Sequence, residues 1–114
     1  MIAIICNSVA LANYSPIVIQ NSGSTHDHSE HYIPADMPEV YYDSDNLEII
    51  LVADGFSSYY DVDIFQTGYT IPVITTQVDG YGDSIDISSL PDGNYTIVIT
   101  SEFNNEFEGQ FIVN

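Results

Sequence analysis

From Glu39 to the carboxyl end, apolar side chains recur at every second residue, and that alternation constrains the fold more than any other feature of the chain. In "NLEIILVA" the residues Leu47, Ile49, Leu51 and Ala53 share one face, with Glu48 opposite. In "YYDVDIFQ" the inner set is Tyr60, Val62 and Ile64, and the outer set is Tyr59, Asp61, Asp63 and Phe65. "SIDIS" repeats the pattern with Ile85 and Ile87 inward and Asp86 outward. Side chains alternate between faces in a strand but return every third or fourth residue in a helix, so these segments are half-buried strands. No segment has helical periodicity. The span from Thr70 to Val78 is extended and β-branched, and Pro72, which lacks an N–H for the ladder, confines it to an edge or a strand start.

Turn chemistry separates the strands: Asp43-Ser44-Asp45-Asn46, Asp54-Gly55, Thr67-Gly68, Asp79-Gly80-Tyr81-Gly82-Asp83 and Pro91-Asp92-Gly93. With "EVYY" counted, about seven short strands are predicted at spacings of roughly 8 to 12 residues, the pattern of an all-β antiparallel sandwich. The last two form a hairpin whose loop follows from register. Tyr95, Ile97 and Ile99 face inward on one strand, and Phe107, Gly109, Phe111 and Val113 on the other. A two-residue Asn104-Asn105 turn would set Ile99 against Gln110, so an odd loop is required, with three residues and an Asn in the left-handed conformation. Ahead of this hairpin, "LPDGNY" fits two readings, an ordinary core tyrosine beside a turn or a tyrosine corner in which the Tyr95 hydroxyl bonds backbone near Ser88 to Leu90.

The first 38 residues differ in composition. "IAIICNSVALA" is an apolar stretch ending in Ala10-Leu11-Ala12, which reads as a signal peptide over residues 1–12 with cleavage before Asn13; a buried first strand of Ile2 to Ile5 is the competing reading. Met1 is followed directly by Ile2, without the basic residues that open a complete signal, which points to a start upstream. A membrane-spanning helix needs about 20 apolar residues, and Asn7, Asn13 and Ser15 interrupt the run, so no stable membrane insertion is expected. The single cysteine, Cys6, falls within the presumed signal, leaving a mature chain without disulfides. Residues 13–38 mix Ser, Asn, Gly, Pro and His around the short run Ile17-Val18-Ile19 and read as a flexible leader, with the sandwich domain at 39–114. Within that leader "HDHSEH" places His26, His28 and His31 among Asp27 and Glu30, side chains that can capture Zn, Ni or Cu. A solvated linker is the competing reading.

Charge narrows the range of partners. The 114 residues hold 17 Asp and Glu and no Lys or Arg, for a formal net charge of -17. Affinity for phosphate rests on basic side chains, so nucleic acid and anionic lipid are excluded as expected partners. High charge often accompanies disorder, yet 45% of residues are hydrophobic, enough for one folded domain with one core.

Catalytic chemistry finds little support. All three histidines lie in the leader, so Ser57, Ser58 and Ser84 have no base to activate them. Asp61 with Asp63, and Glu106 with Glu108, stand two apart on a strand and share one solvated face, which does not separate pKa values as acid/base catalysis requires. The expectation is a protein without enzymatic activity. Two acidic turns offer oxygen ligands for calcium, Asp43 and Asp45 in "DSDN" and Asp79 and Asp83 in "DGYGD". Asp, Asn and Gly also serve turns for steric reasons, and neither stretch matches an EF-hand loop. No cofactor is expected otherwise; Ca or Zn are the candidates.

Whole segments, namely "MPEVYYDSDNLEIILVADGFSSYYDVDI", "TTQVDGYGDSIDISSLPDGNYTIVITSEFNNEFEGQF" and the His-containing leader, resemble a family of small exported Bacteroidales proteins classed as a domain of unknown function. The resemblance covers about residues 34–114 and implies an immunoglobulin-like β-sandwich behind a signal peptide, with no ligand or catalytic residue attached. Two functional classes follow. One is an exported, periplasmic or extracellular binding module for a peptide, glycan or protein at the cell envelope, using Tyr41, Tyr42, Phe56, Tyr59 and Tyr81 as exposed aromatics. The other is a metal-linked role for the His tract or the acidic turns.

Overall fold

The computed structural model describes residues 14–21 and 33–114, and the presumed signal and the His26, His28 and His31 tract lie outside them. The elements are β1 (Tyr14–Ile17), β2 (Ile19–Asn21), β3 (Glu39–Asp43), β4 (Glu48–Val52), β5 (Tyr59–Gln66), β6 (Ile74–Asp79), β7 (Ser84–Asp86), β8 (Gly93–Ser101) and β9 (Glu106–Val113), and no helix occurs among the described residues. They form two antiparallel sheets, one ordered β1-β3-β4-β7 and the other β2-β9-β8-β5-β6. All seven strands expected from the alternation are present as β3 to β9.

Side chains of both inner faces meet in one core. Ile49, Leu51 and Ile85 come from the first sheet, and Tyr60, Val62, Ile64, Ile97, Ile99 and Phe107 from the second, all buried. Burial alternates strictly along β8 and β9, as the period of two requires. Ile99 pairs with Phe107 and Ile97 with Gly109. The loop between them is Glu102-Phe103-Asn104, closed by hydrogen bonds from the Ser101 amide to the Asn105 carbonyl and from the Asn104 amide to the Ser101 carbonyl. Asn104 has φ 65°, the left-handed residue that the register demanded. Tyr95 does form a tyrosine corner, its hydroxyl donating to the Pro91 carbonyl at 2.5 Å, one residue beyond the expected stretch. Its ring stacks on Phe111 at 5.7 Å, and Tyr42 approaches Phe111 at 5.9 Å in a tilted arrangement.

The leader is the main correction. Residues 14–21 are part of the sandwich: β1 pairs with β3, placing Ile17 beside Val40, and β2 pairs with β9, placing Ile19 beside Gly109. Between them the chain crosses from one sheet to the other, with Val18 pointing out at 85% exposure while Ile17 and Ile19 enter the core. Gly109 makes room for this strap. A Cβ there would fall 2.8 Å from the Val18 carbonyl oxygen and 2.7 and 2.9 Å from the Ile19 and Ile17 methyls. Pro16 is accommodated because β1 is an edge strand. Further along the expected leader, Asp36 is also buried. Three prolines and a run of only three apolar residues concealed a strand that owes its place to both sheet edges.

Candidate functional site

Three loops gather at one end of the sandwich: residues 53–58 between β4 and β5, 80–83 between β6 and β7, and 102–105 between β8 and β9. They are tied to each other through the backbone. The Ala53 amide donates to the Tyr81 carbonyl, the Gly55 amide to the Gly80 carbonyl, and the Gly80 amide to the Ser58 carbonyl. Glu102 joins the third loop to the first, its carboxylate accepting from the Ser58 amide at 2.7 Å and its own amide donating to Ser57 Oγ at 3.1 Å. Ser57 itself is buried and donates to the Tyr59 carbonyl at 2.6 Å. Its hydroxyl holds the loops together.

Aromatic rings crown this framework. Phe56 and Phe103, 55% and 52% exposed, stand 5.5 Å apart between ring centroids at an interplanar angle of 47°. Tyr81, 71% exposed, lies over Gly55, where an added Cβ would come within 2.6 Å of the tyrosine ring. Three large rings in water are costly for a lone domain unless something covers them, and grouped exposure of this kind marks contact surfaces. Carboxylates form the rim. Asp54 accepts from the Phe56 amide at 3.2 Å and Asp79 from the Tyr81 amide at 2.8 Å, so the acids shape the loops that carry the rings.

Below the rings lies a buried polar anchor. The Asp36 carboxylate accepts from Ser101 Oγ at 2.5 Å and from Asn105 Nδ2 at 2.8 Å, while the Asp36 carbonyl accepts from the Tyr60 hydroxyl at 2.8 Å. Burial, with Asp36 and Asp54 adding negative charge nearby, pushes the Tyr60 phenol up to about 12. The anchor fixes the β8–β9 loop against the segment leading into β3 and leaves the donors around Asp36 satisfied.

The two acidic turns that offer oxygen ligands for calcium, with turn chemistry as the competing reading, lie at opposite ends of the sandwich. Asp43 and Asp45 share the β3–β4 turn at the opposite end of the strands. Asp43 is buried, and its oxygens accept from the Asp45 amide at 3.0 Å, the Asn46 amide at 3.2 Å and Asn46 Nδ2 at 2.9 Å. Burial alone would raise its pKa, but the bonds from Asn46 and Asp45 outweigh it and leave the carboxyl below its usual value. Asp79 and Asp83 flank the β6–β7 loop and accept from the Tyr81 and Ser84 amides. Among the described residues no group of three or more His, Cys, Asp or Glu is arranged to hold a metal ion.

Of the aromatics expected to be exposed, Phe56 and Tyr81 are, and Tyr41 and Tyr59 are half-buried on outer faces. Tyr42 is a correction. It alternates with Val40 on the inner face of β3 and is buried against Phe111, its hydroxyl without a hydrogen-bond partner among the described residues. Burial and the nearby Asp92 and Asp43 raise its pKa. Phe103 was missed as a site residue, although it lies in the three-residue loop that the register required.

No family model matches the chain, and no curated protein does either. Among solved structures, a DUF3244 family protein from Bacteroides vulgatus ATCC 8482, described as having an immunoglobulin-like beta-sandwich fold, superposes with a TM-score of 0.66. The match covers 89% of this chain and 99% of that one at 12% sequence identity. It is a relationship of shape, and it agrees with the family of unknown function that the sequence segments resemble. With two antiparallel sheets, a tyrosine corner and this likeness over nearly the whole of both chains, the protein is an immunoglobulin-like β-sandwich.

Proposed function

We propose that the chain is an exported, non-enzymatic binding module that engages a protein or peptide partner through the ring cluster of Phe56, Tyr81 and Phe103. The observation that carries this reading is the exposure of three aromatic rings on loops already locked together by hydrogen bonds. Rigid rings lose little conformational entropy on binding and supply large contact area. Acidic groups at Asp54, Asp79 and Glu102 in a chain without Lys or Arg favour a partner that presents Arg or Lys beside apolar side chains, which ring faces and carboxylates attract together. The apolar stretch ending in Ala10-Leu11-Ala12 supports export to the periplasm or the exterior.

Amide chemical-shift titrations on the isotope-labelled protein test this. A peptide bearing Arg and aromatic residues should give saturable shifts at Phe56, Tyr81 and Phe103, weakened by about 300 mM NaCl through screening and lost in Phe56→Ser/Phe103→Ser. Shifts confined to other surfaces, or equal shifts with a neutral oligosaccharide, would count against the proposal.

A further inference from the structure

The sandwich has an uncovered edge whose chemistry points to a particular occupant. β6 closes the five-stranded sheet on one side, and among the described residues no strand pairs with its outer edge. The Gly80 amide bonds the Ser58 carbonyl, and hydrogen-bonded residues alternate along an antiparallel pair, so the N–H and C=O of Thr75 and Gln77 point away from β5. Such a row of backbone groups is a template for another strand.

Charge selects which strand. Residues 64–78, between Asp63 and Asp79, are the longest run without a charged side chain among the described residues, in a chain carrying 17 carboxylates. The neighbouring carboxylates are engaged as well: Thr75 Oγ1 donates to Asp63 and Gln77 Nε2 to Asp61, both at 2.9 Å. Approaching this edge along the β5–β6 connection, Tyr69, Ile71 and Val73 are 66%, 78% and 48% exposed. A basic partner would gain most from an acidic edge, and this one is neutral. A surface that must meet a copy of a strongly acidic chain has the opposite requirement, the removal of charge from the contact.

We infer that two copies of the chain pair antiparallel along β6 about a two-fold axis, joining their five-stranded sheets into one sheet of ten. The register centred on Thr76 sets Thr75 of one copy beside Gln77 of the other, so the outward N–H and C=O groups of both meet. Asp79 then lies opposite Val73, and no carboxylate faces another across the seam. This contact is separate from the ring cluster and does not depend on it.

Light scattering coupled to size exclusion, run from about 1 to about 500 μM, reads the association because a dimer population depends on protomer concentration. The expected result is a mass rising to twice that of the chain, at lower concentration when NaCl is raised to about 300 mM. Gln77→Pro removes the outward N–H at both symmetry-related sites and should weaken the dimer by about tenfold or more. Circular dichroism confirms that this variant is folded. Thr76→Asp, adding like charge at the axis, is the second probe and should also favour monomer. A monomer throughout the range would overturn the inference, as would a dimer that both variants leave unchanged. A dimer lost in Phe56→Ser/Phe103→Ser would place the seam at the loop end and overturn it equally, whereas an unchanged dimer in that variant supports it.

Discussion

The two lateral sides of this sandwich solve the problem of exposed edges in opposite ways. On one side the strap of β1 and β2 runs along β3 and β9, occupying an edge of each sheet and sending Ile17 and Ile19 into the core. On the other side the sheets end at β6 and β7, and no strand covers either among the described residues. β7 is three residues long with Asp86 on it and Asp83 just before it, short and acidic enough to resist pairing. β6 is longer and neutral over most of its length. The contrast teaches that both sides bury apolar side chains, Ile17 and Ile19 on one and Val78 and Ile85 on the other, while only the open side leaves outer backbone groups free to make contacts.

The largest effect that could break this comparison is at Gly109. Gly109→Val places a side chain where the strap backbone now lies, and should destabilise the fold by about 3 kcal/mol, because neither the Val18 carbonyl nor β9 can yield without losing the pairing. Hydrogen exchange should show protection lost in residues 14–21 and in β3 before the rest. Uniform loss across both sheets would mean that the strap and the sandwich unfold as one unit.

A smaller effect sharpens the same contrast. Ile17→Ala should cost about 2 kcal/mol or more through the cavity it leaves, and Ile71→Ala, at 78% exposure, should stay within about 0.5 kcal/mol. Denaturant midpoints of the two variants under dilute, monomeric conditions decide it. Equal costs would mean that Ile71 is packed in solution in spite of its exposure here.

The smallest effect concerns pH. Asp43 lies on the closed side, opposite Tyr14 in the β1–β3 pairing, and its folded pKa is lowered. A carboxyl with a depressed folded pKa contributes stability above its unfolded value near 4, and that contribution disappears as pH falls through the folded pKa. Asp43→Ala should therefore cost about 1 kcal/mol at pH 7 and progressively less below about pH 4. Melting curves of both proteins from neutral to acidic pH provide the check. A constant difference would show that packing, and not the hydrogen-bonded carboxylate, accounts for the cost.

Much of the architecture was legible in local pattern. The alternation in "YYDVDIFQ", "NYTIVIT" and "FEGQFIV" decided which residues enter the core, because a strand has only two faces and one must be dry. The same rule required a three-residue loop with a left-handed Asn, since any even loop would have turned one inner face outward. Gly109 was a readable sign of the strap, because a glycine within a strand often marks the close approach of another backbone. The candidate site was legible only in part. Phe56 and Tyr81 could be named from their turns, but Tyr42 was expected to be exposed although alternation in "EVYY" sets it on the inner face with Val40, and Phe103 gained its meaning only beside Phe56, 47 positions away in sequence.

What the sequence by itself determined, then, was whatever depends on neighbours along the chain: strand type, inner and outer faces, turn chemistry and the all-β class, together with the absence of Lys and Arg. Tertiary structure alone decided the pairing of Ile17 with Val40 and of Ile19 with Gly109, the meeting of Asp36 with Ser101 and Asn105, and the convergence of three loops. The reason is physical. A short segment such as Tyr14–Asn21 has too little apolar surface to hold a conformation alone, and it becomes a strand only when two sheet edges supply both its hydrogen-bond partners and a dry face for its isoleucines.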